Sequence, residues 1–377
     1  MAENEKKLPE EEKDLSLTEE APAEETPAEE TPAAEEAPAK EAPAEEIPAE
    51  EKKEKAPKKG GKKGLLIGII CGAAVAVLVI ALVVVALVMG SSAVSKYKEG
   101  DYAASYSASK LALFQAKQDK NTIAKAYVVE VLCKEGKYFT GAEILEKTSL
   151  SDEEKAAVYA SQPELGMCVV GQVVKFGKYE TDNNAANGAE DLEWIVLDVT
   201  KEDGKARSLL VTKDVIGSPD GWNSALQSKN TSYAQSKLCS WCEDFYTAFT
   251  QYDVTLRSKL LKVLVSTEDS STGVDSGEDV AAYAYALSKE DISRYFTGDL
   301  EQYITTTLTA AAKAQGVTAY GADKVAVYYL RNAGKFEDGT QWVTGVNKDG
   351  QIDEGLSATS GAYGARVCIN VDLGEIK

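Results

Sequence analysis

Two arginines lie in runs of residues that are otherwise apolar and typical of β-strands, Arg331 and Arg366. A buried guanidinium group must be paired or hydrogen-bonded, because an isolated buried charge is strongly unfavourable. One interpretation is that the two arginines bind a carboxylate or a glycan. The alternative, which we favour, is an internal scaffold that ties the last strands to loop carbonyl groups or to an acid in the core.

Aromatic side chains in the same half of the chain would offer stacking surfaces to a sugar ring. Such residues lie in a protein core more often than on a binding surface, and the sequence does not separate the two interpretations. The aromatic residues concerned are Trp222, Tyr328, Tyr329, Trp342 and Tyr363.

The sequence contains no histidine. This removes the commonest general base and the commonest zinc ligand, and it excludes Ser-His-Asp, Cys-His and H-E-x-x-H mechanisms. An enzyme that relies on carboxylates, for example one that acts on envelope glycans, stays open as an alternative. No pair of acids can be nominated for it, so we predict no catalytic residue and no cofactor.

Cys239 and Cys242 form a C-x-x-C pair on a predicted helix. A zinc site would need two more ligands, and a redox site would need the first cysteine at the N-terminus of a helix. We therefore expect a local disulfide or helix packing, and no metal site.

Residues 347–353 resemble the centre of a calcium loop, but positions 1 and 12 of that loop would fall on Gly345 and Leu356, where acids are required. A hairpin turn at Asp349-Gly350 is the better interpretation.

An apolar run at residues 65–89 contains no charged residue in 25 positions. It would anchor the candidate binding residues at a membrane surface. As a helix it would be about 37 Å long, which is enough to cross a hydrocarbon core of about 30 Å. We predict a transmembrane helix in contact with the lipid bilayer. Small residues at 91–93 leave cleavage after the run as an alternative.

Residues 1–64 are rich in Glu, Ala and Pro and end in a cluster of lysines. The like charges, the prolines and the near absence of large apolar residues predict a disordered tail. The lysines place this tail in the cytoplasm and the C-terminal part outside the cell. A basic protein is a candidate partner of the tail. A net charge of −20 argues against nucleic acid as a partner.

Residues 92–161 have the composition and spacing of helices. The segment 98–102 (K-E-G-D-Y) recurs as 134–138 (K-E-G-K-Y), an offset close to the 34-residue period of tetratricopeptide repeats, which this stretch weakly resembles. One interpretation is a peptide-binding groove. The favoured one is a stalk of helical hairpins that packs on the next domain.

Residues 165–377 predict an α+β domain, because strand-like segments lie at both ends and helix-like segments lie between them. The first three strands would form a meander. The longest predicted helix near the end covers 300–315.

Six segments of this domain resemble, in order, a bacterial domain of unknown function that is common in surface and membrane proteins of clostridia-like Gram-positive bacteria. Its W-W-L-R-S-P-G signature is matched by Y-Y-L-R-N-A-G at 328–334, and its Y-G-V-R-P signature by Y-G-A-R-V at 363–367. Asn332, Ala333 and Val367 depart from the pattern, which puts any binding role of the replaced residues in doubt. The other matching segments are 170–180, 193–199, 236–246 and 286–291.

The two signatures are also similar to those of C-type-lectin-like and formylglycine-generating-enzyme-like domains. A lectin-like fold would bring the first and last strands together. This resemblance implies a disulfide between Cys168 and Cys368, which would stabilise the fold by roughly 4–5 kcal/mol.

The sequence thus predicts a single-pass protein of the cell membrane with an extracellular, non-catalytic domain that binds a glycan or a protein ligand, or supports an assembly. Besides the carboxylate enzyme, an envelope sensor or structural protein is the remaining alternative.

Overall fold

A computed structural model of the chain describes residues 62–113, 115–223, 232–251, 253–267 and 277–376. Side chains are described from residue 77 onward, except that of Gln341. The predicted disordered tail lies outside the described residues, apart from residues 62–64.

The apolar run is helical and continues beyond its apolar part. No proline occurs within it, and Gly100, with a φ of +81°, follows its end. Most large apolar side chains from Val77 to Val88 are more than half exposed, and Val77–Lys98 is long and apolar enough to cross a membrane.

The helices are α1 (Lys62–Lys98), α2 (Tyr102–Leu111), α3 (Lys117–Tyr127), α4 (Tyr138–Glu146), α5 (Asp152–Ser161), α6 (Pro163–Gly166), α7 (Lys237–Thr250), α8 (Val254–Lys259), α9 (Lys289–Tyr295) and α10 (Ala310–Ala314).

Side chains at the helix ends set the boundaries of α2 and α5. Asp101 accepts a hydrogen bond from the backbone N–H of Ala104, and Ser151 and Glu154 form a reciprocal capping box. Helix α3 continues into a π-helical turn at Val128–Leu132. Helices α2 and α4 begin 36 residues apart, at Tyr102 and Tyr138, the same offset as the repeated K-E-G segment.

The C-terminal region contains antiparallel sheets and helices, which makes it an α+β structure. The largest sheet has the order β1-β2-β3-β13-β4, with β7 also paired to β13. A three-stranded sheet has the order β10-β11-β12, and two ribbons pair β5 with β6 and β8 with β9. The strands are β1 (Val173–Tyr179), β2 (Glu190–Glu202), β3 (Lys205–Thr212), β4 (Leu260–Leu261), β5 (Val263–Val265), β6 (Val280–Ala282), β7 (Ala284–Ala286), β8 (Ala319–Tyr320), β9 (Val325–Ala326), β10 (Tyr328–Glu337), β11 (Thr340–Val346), β12 (Ile352–Ser357) and β13 (Val367–Glu375).

The large sheet is buried on both faces. Along β2, Trp194 and Val196 pack into one hydrophobic cluster, whereas Ile195 and Leu197 pack into the other. This follows from the period of two in a strand, which sends successive side chains to opposite faces. The first cluster also contains residues of α4, α5, α6 and α7, so these four helices share a core with the sheet.

Glycine is required at two positions, a register shift inside a strand and a hairpin turn. Gly177 lies at a register shift in β1 with φ of +67°, and a Cβ there would overlap the ring of Phe249. Gly350 has φ of +78° in the hairpin that joins β11 to β12, where Asn347 N–H bonds to Gln351 O at 2.9 Å. The structure thus forms the hairpin turn that was preferred to a calcium loop.

The predicted helix at 300–315 is wrong in its middle. A 3₁₀ helix at Gly298–Tyr303 and α10 are separated by an extended stretch. In that stretch, the N–H of Val215 bonds to Thr307 O at 2.9 Å, and the hydroxyl of Thr306 bonds to Lys213 O at 2.6 Å. These bonds to a distant loop satisfy the backbone outside a helix, and helix propensity is too weak to outweigh them.

The implied disulfide is not formed, since Cys168 and Cys368 are both free. Cys168 lies just before β1, whereas Cys368 lies on β13, and β2 and β3 separate these strands in the sheet. Three strand spacings amount to about 14 Å, and a disulfide requires Cα atoms within about 7 Å. The two thiols also lie in different hydrophobic clusters.

Candidate functional site

Arg331 is buried on β10 with 7% of its surface exposed. Its Nε donates to Ser266 O at 2.7 Å, and its Nη1 donates to Ala286 O at 3.0 Å and to Asp291 Oδ2 at 2.5 Å. Asp291 also accepts the N–H of Ser288 and so caps α9. The guanidinium group therefore joins β10 to α9, to the last residue of β7 and to the carbonyl that follows β5.

Arg366 is fully buried at the start of β13. Its Nε donates to Thr212 O at 2.9 Å and its Nη1 to Tyr303 O at 2.8 Å. The group lies over the rings of Phe296 and Tyr328, at 5.6 and 5.4 Å from their centroids, distances at which aromatic faces stabilise a cation. Among the described residues its Nη2 has no hydrogen-bond partner. Both arginines thus contact the protein interior and do not point to solvent.

The candidate stacking residues are dispersed. Tyr329 is fully buried, with its hydroxyl 2.7 Å from Ser357 O and 2.9 Å from Ser360 O. Tyr363 is half-buried and meets the ring of Tyr329 edge-on, and Trp342 is half-buried on β11. Trp222 and Tyr328 are fully buried. Most of this aromatic surface is core and not a platform for a sugar ring.

Burial governs the chemistry of the five described cysteines, which are all free. It raises the pKa of the Cys133 and Cys239 thiols to about 11 and raises those of Cys168, Cys242 and Cys368 further. A thiol with a raised pKa is a poor nucleophile at neutral pH. Cys239 and Cys242 lie on the buried face of α7, so they pack and do not form the local disulfide that the sequence left open.

We expect these five thiols to be unreactive towards Ellman's reagent at pH 7 in the folded chain, because burial excludes both the reagent and the thiolate form. Unfolding in guanidinium chloride without reductant should release all six thiols of the chain. Four thiols after unfolding would show one disulfide and would contradict the free cysteines of the structure.

One group of carboxylates escaped the sequence analysis. Oxygen atoms of Glu180, Asp182 and Glu190 lie within 4.8 Å of one another in the loop between β1 and β2. A hydrogen bond from Asn187 lowers the pKa of Asp182, and the N–H of Thr181 lowers that of Glu190. General acid catalysis needs a carboxyl group with a raised pKa, so these two acids are not suited to it. The pairing of β1 with β2 places Glu190 beside Tyr179 and so close to Glu180 and Asp182. The spacing of these acids in the sequence does not by itself show that they lie together.

A groove of about 770 Å³ lies in the helical region, and we call it the stalk groove. Residues of α3 and its π-helical turn contribute one side, at helical spacing: Gln118, Thr122, Lys125 and Val129 follow i, i+4, i+7 and i+11. The remaining lining residues are Tyr97, Tyr102, Lys117, Asn121, Ala126, Glu130, Ser149, Leu150 and Glu154.

The stalk groove combines two lysines and two glutamates with amide and hydroxyl groups. Asn121 holds its far wall in place, because its side chain accepts from Ser149 N–H at 3.2 Å and lies 3.2 Å from Ser149 Oγ. Mixed donors and acceptors of both charges suit an extended peptide, whose backbone offers both kinds of group. The period of these polar residues in α3 was readable from the sequence, although the opposite wall was not.

Contacts outside the groove hold the helical region against the C-terminal domain. Thr140 of α4 donates to Ile376 O at 2.8 Å, and Lys259 contacts Glu164 at 2.5 Å. These contacts and the shared core hold the helical region against the sheet, and the stalk groove lies on residues that the sheet does not cover.

Comparison with known proteins assigns part of this architecture. No curated protein and no solved structure matches the chain. The family model of a domain of unknown function, DUF6273, matches residues 206–373. This range begins in β3 and ends in β13, so it includes both arginine segments, whereas β1 and β2 complete the same sheet from outside it. The C-terminal region therefore contains a DUF6273 domain of unknown function.

Proposed function

We propose that the chain is a non-catalytic binding or assembly protein that is held at a membrane by α1 and takes an extended peptide segment in the stalk groove. The observation that carries this proposal is the groove itself, with its volume of about 770 Å³ and its mixed polar lining. Ligand pockets of small molecules and peptides have volumes of about 300–1,000 Å³.

The membrane part of the proposal is supported by the exposed apolar surface of α1. Exposure of a helix of this length, with apolar side chains on all sides, to water is unfavourable, whereas a bilayer would bury these side chains. The lysine cluster before α1 supports a cytoplasmic N-terminus and an extracellular C-terminal region in a bacterial envelope.

A protein ligand is better supported than a glycan. Glycan recognition, which the lectin-like resemblance would imply, relies on exposed aromatic faces, and Tyr328, Tyr329 and Trp222 are buried. Arg331 and Arg366 already donate to protein carbonyls. The carboxylate enzyme is a weaker candidate, because hydrogen bonds lower the pKa of Asp182 and of Glu190, and a general acid needs a raised pKa.

A sensory role is a second candidate, and the continuity of α1 favours it. The helix runs without a break from Lys62 to Lys98 and contacts α2 at its end, where Ser105 Oγ donates to Ala93 O at 2.7 Å. Occupation of the stalk groove, which includes Tyr97 of α1, would thus act directly on the membrane segment.

The test is a binding screen of the full chain in lipid nanodiscs, against an array of unstructured peptides of mixed charge and against peptidoglycan fragments. We expect peptide binding that weakens about tenfold, or 1.4 kcal/mol, when Lys125→Glu reverses a charge in the groove. Lys313→Glu on α10 is the matched control, since Lys313 is also an exposed helical lysine. Equal loss in both variants, or binding of glycan alone, would refute the groove as the ligand site.

A further inference from the structure

The turn between α2 and α3 lies beside the end of the apolar run. Helix α2 returns along α1, as shown by the hydrogen bond from Ser105 to Ala93 and by Ala112, whose Cβ is 3.7 Å from where a Cβ on Gly90 would be. Ala93 and Ala112 are fully buried. Small residues on α1 at this point allow the two helices to approach closely.

This contact sets the height of the turn relative to a bilayer. A bilayer with its headgroups is about 40–45 Å thick, which corresponds to roughly 27–30 residues of helix. Counted from Lys63, that thickness reaches roughly residues 90–93 of α1. The α2–α3 turn, which packs against Gly90, therefore lies at the level of the headgroups.

The turn carries apolar side chains that the protein does not cover. Leu111 is 60% exposed and Leu113 is 71% exposed, although Ala112 between them is buried. Two large exposed leucines on one turn are unfavourable in water, because their apolar surface is hydrated. Their burial in the interfacial layer of a bilayer removes this cost.

A basic cavity adjoins the same turn. It has a volume of about 310 Å³, and four lysines line it, Lys110, Lys117, Lys120 and Lys147, whereas no acid among the described residues does. Asp119 is exposed nearby on α3 and offsets one of these charges. The lysines stand out in a chain of net charge −20. An anionic membrane surface attracts lysine side chains that lie close to it.

We infer that the α2–α3 turn is a second membrane contact, in which Leu111 and Leu113 enter the interfacial layer and the lysine cavity binds the phosphate of an anionic phospholipid. This inference rests on the proposed membrane anchoring by α1. It fixes the helical region against the bilayer surface and leaves the opening of the stalk groove next to the headgroups.

The experiment uses the full chain with Cys71→Ala and one added cysteine that carries the fluorophore NBD, in vesicles that contain an anionic phospholipid and a lipid with a nitroxide quencher near the headgroup. The added cysteine is Leu113→Cys, Val84→Cys on α1 as the anchor control, or Leu264→Cys as an exposed leucine of β5. The chain without an added cysteine measures background labelling of the buried thiols.

We expect a blue-shifted, quenched emission at positions 113 and 84, and an unquenched emission at 264. Replacement of Lys110, Lys117 and Lys120 by Gln should reduce the quenching at 113 and leave that at 84 unchanged, and vesicles without anionic lipid should have the same effect. Quenching at 84 without quenching at 113 would overturn the second contact alone. Absence of quenching at both positions would overturn the anchor and the second contact together.

Discussion

Replacement of Arg331 by alanine is expected to lower the free energy of unfolding by about 3 kcal/mol, at the lower end of the range for breaking a buried ion pair. The change removes the partner of Asp291 and leaves the carbonyls of Ser266 and Ala286 without that donor. The loss is at the lower end because Asp291 is 20% exposed and keeps the N–H of Ser288. Urea unfolding of the full chain in detergent micelles, followed by tryptophan fluorescence, measures it.

Arg207→Ala is the matched control for this prediction. Arg207 pairs with Glu202 at 3.5 Å on the surface, with both side chains more than 40% exposed. Exposed pairs contribute about 0–1 kcal/mol, so this variant should unfold nearly as the parent does. A midpoint for Arg331→Ala equal to that of Arg207→Ala would refute the scaffold role and would return Arg331 to the ligand-binding interpretation.

Replacement of Trp194 by alanine is expected to cost about 3–5 kcal/mol, the usual range for removal of a buried tryptophan. Trp194 is fully buried and packs edge-on against Phe245 and Phe249, with ring centroids 6.2 and 5.5 Å away. Its indole N–H donates to Phe176 O at 2.8 Å. The same urea experiment measures the effect by circular dichroism.

Trp194→Phe separates packing from hydrogen bonding. This variant keeps an aromatic ring against α7 but leaves Phe176 O without its donor, which costs about 1–3 kcal/mol. We expect it to fall between the parent and Trp194→Ala. Equal stability of both variants would mean that the ring contacts with α7 contribute little.

The local patterns of this sequence were sufficient for much of the fold. The run of β-branched and aromatic residues around Trp194 to Leu197 predicted a strand, and the uncharged run at 65–89 predicted a long helix. The Asp349-Gly350 turn was predicted because few residues other than glycine accept a positive φ. In each case the physical cause lies within a few residues of the chain.

What the sequence did not predict depends on contacts between distant segments. The bonds of Thr306 and Thr307 to the loop after β3 divide the expected helix at 300–315. The insertion of β2 and β3 between β1 and β13 excludes the disulfide of Cys168 with Cys368. The stalk groove needs α3 and the start of α5 to face each other, and a repeat of 36 residues does not reveal that arrangement.

The position of β13 has a consequence for the order in which the chain folds during synthesis. Residues 367–375 are made after the other strands that the structure describes, yet they pair with β3, β4 and β7 near the middle of the large sheet. Until β13 has left the ribosome, the edges of β3, β4 and β7 that it pairs with stay open. The large sheet is therefore completed only after β13 has been translated.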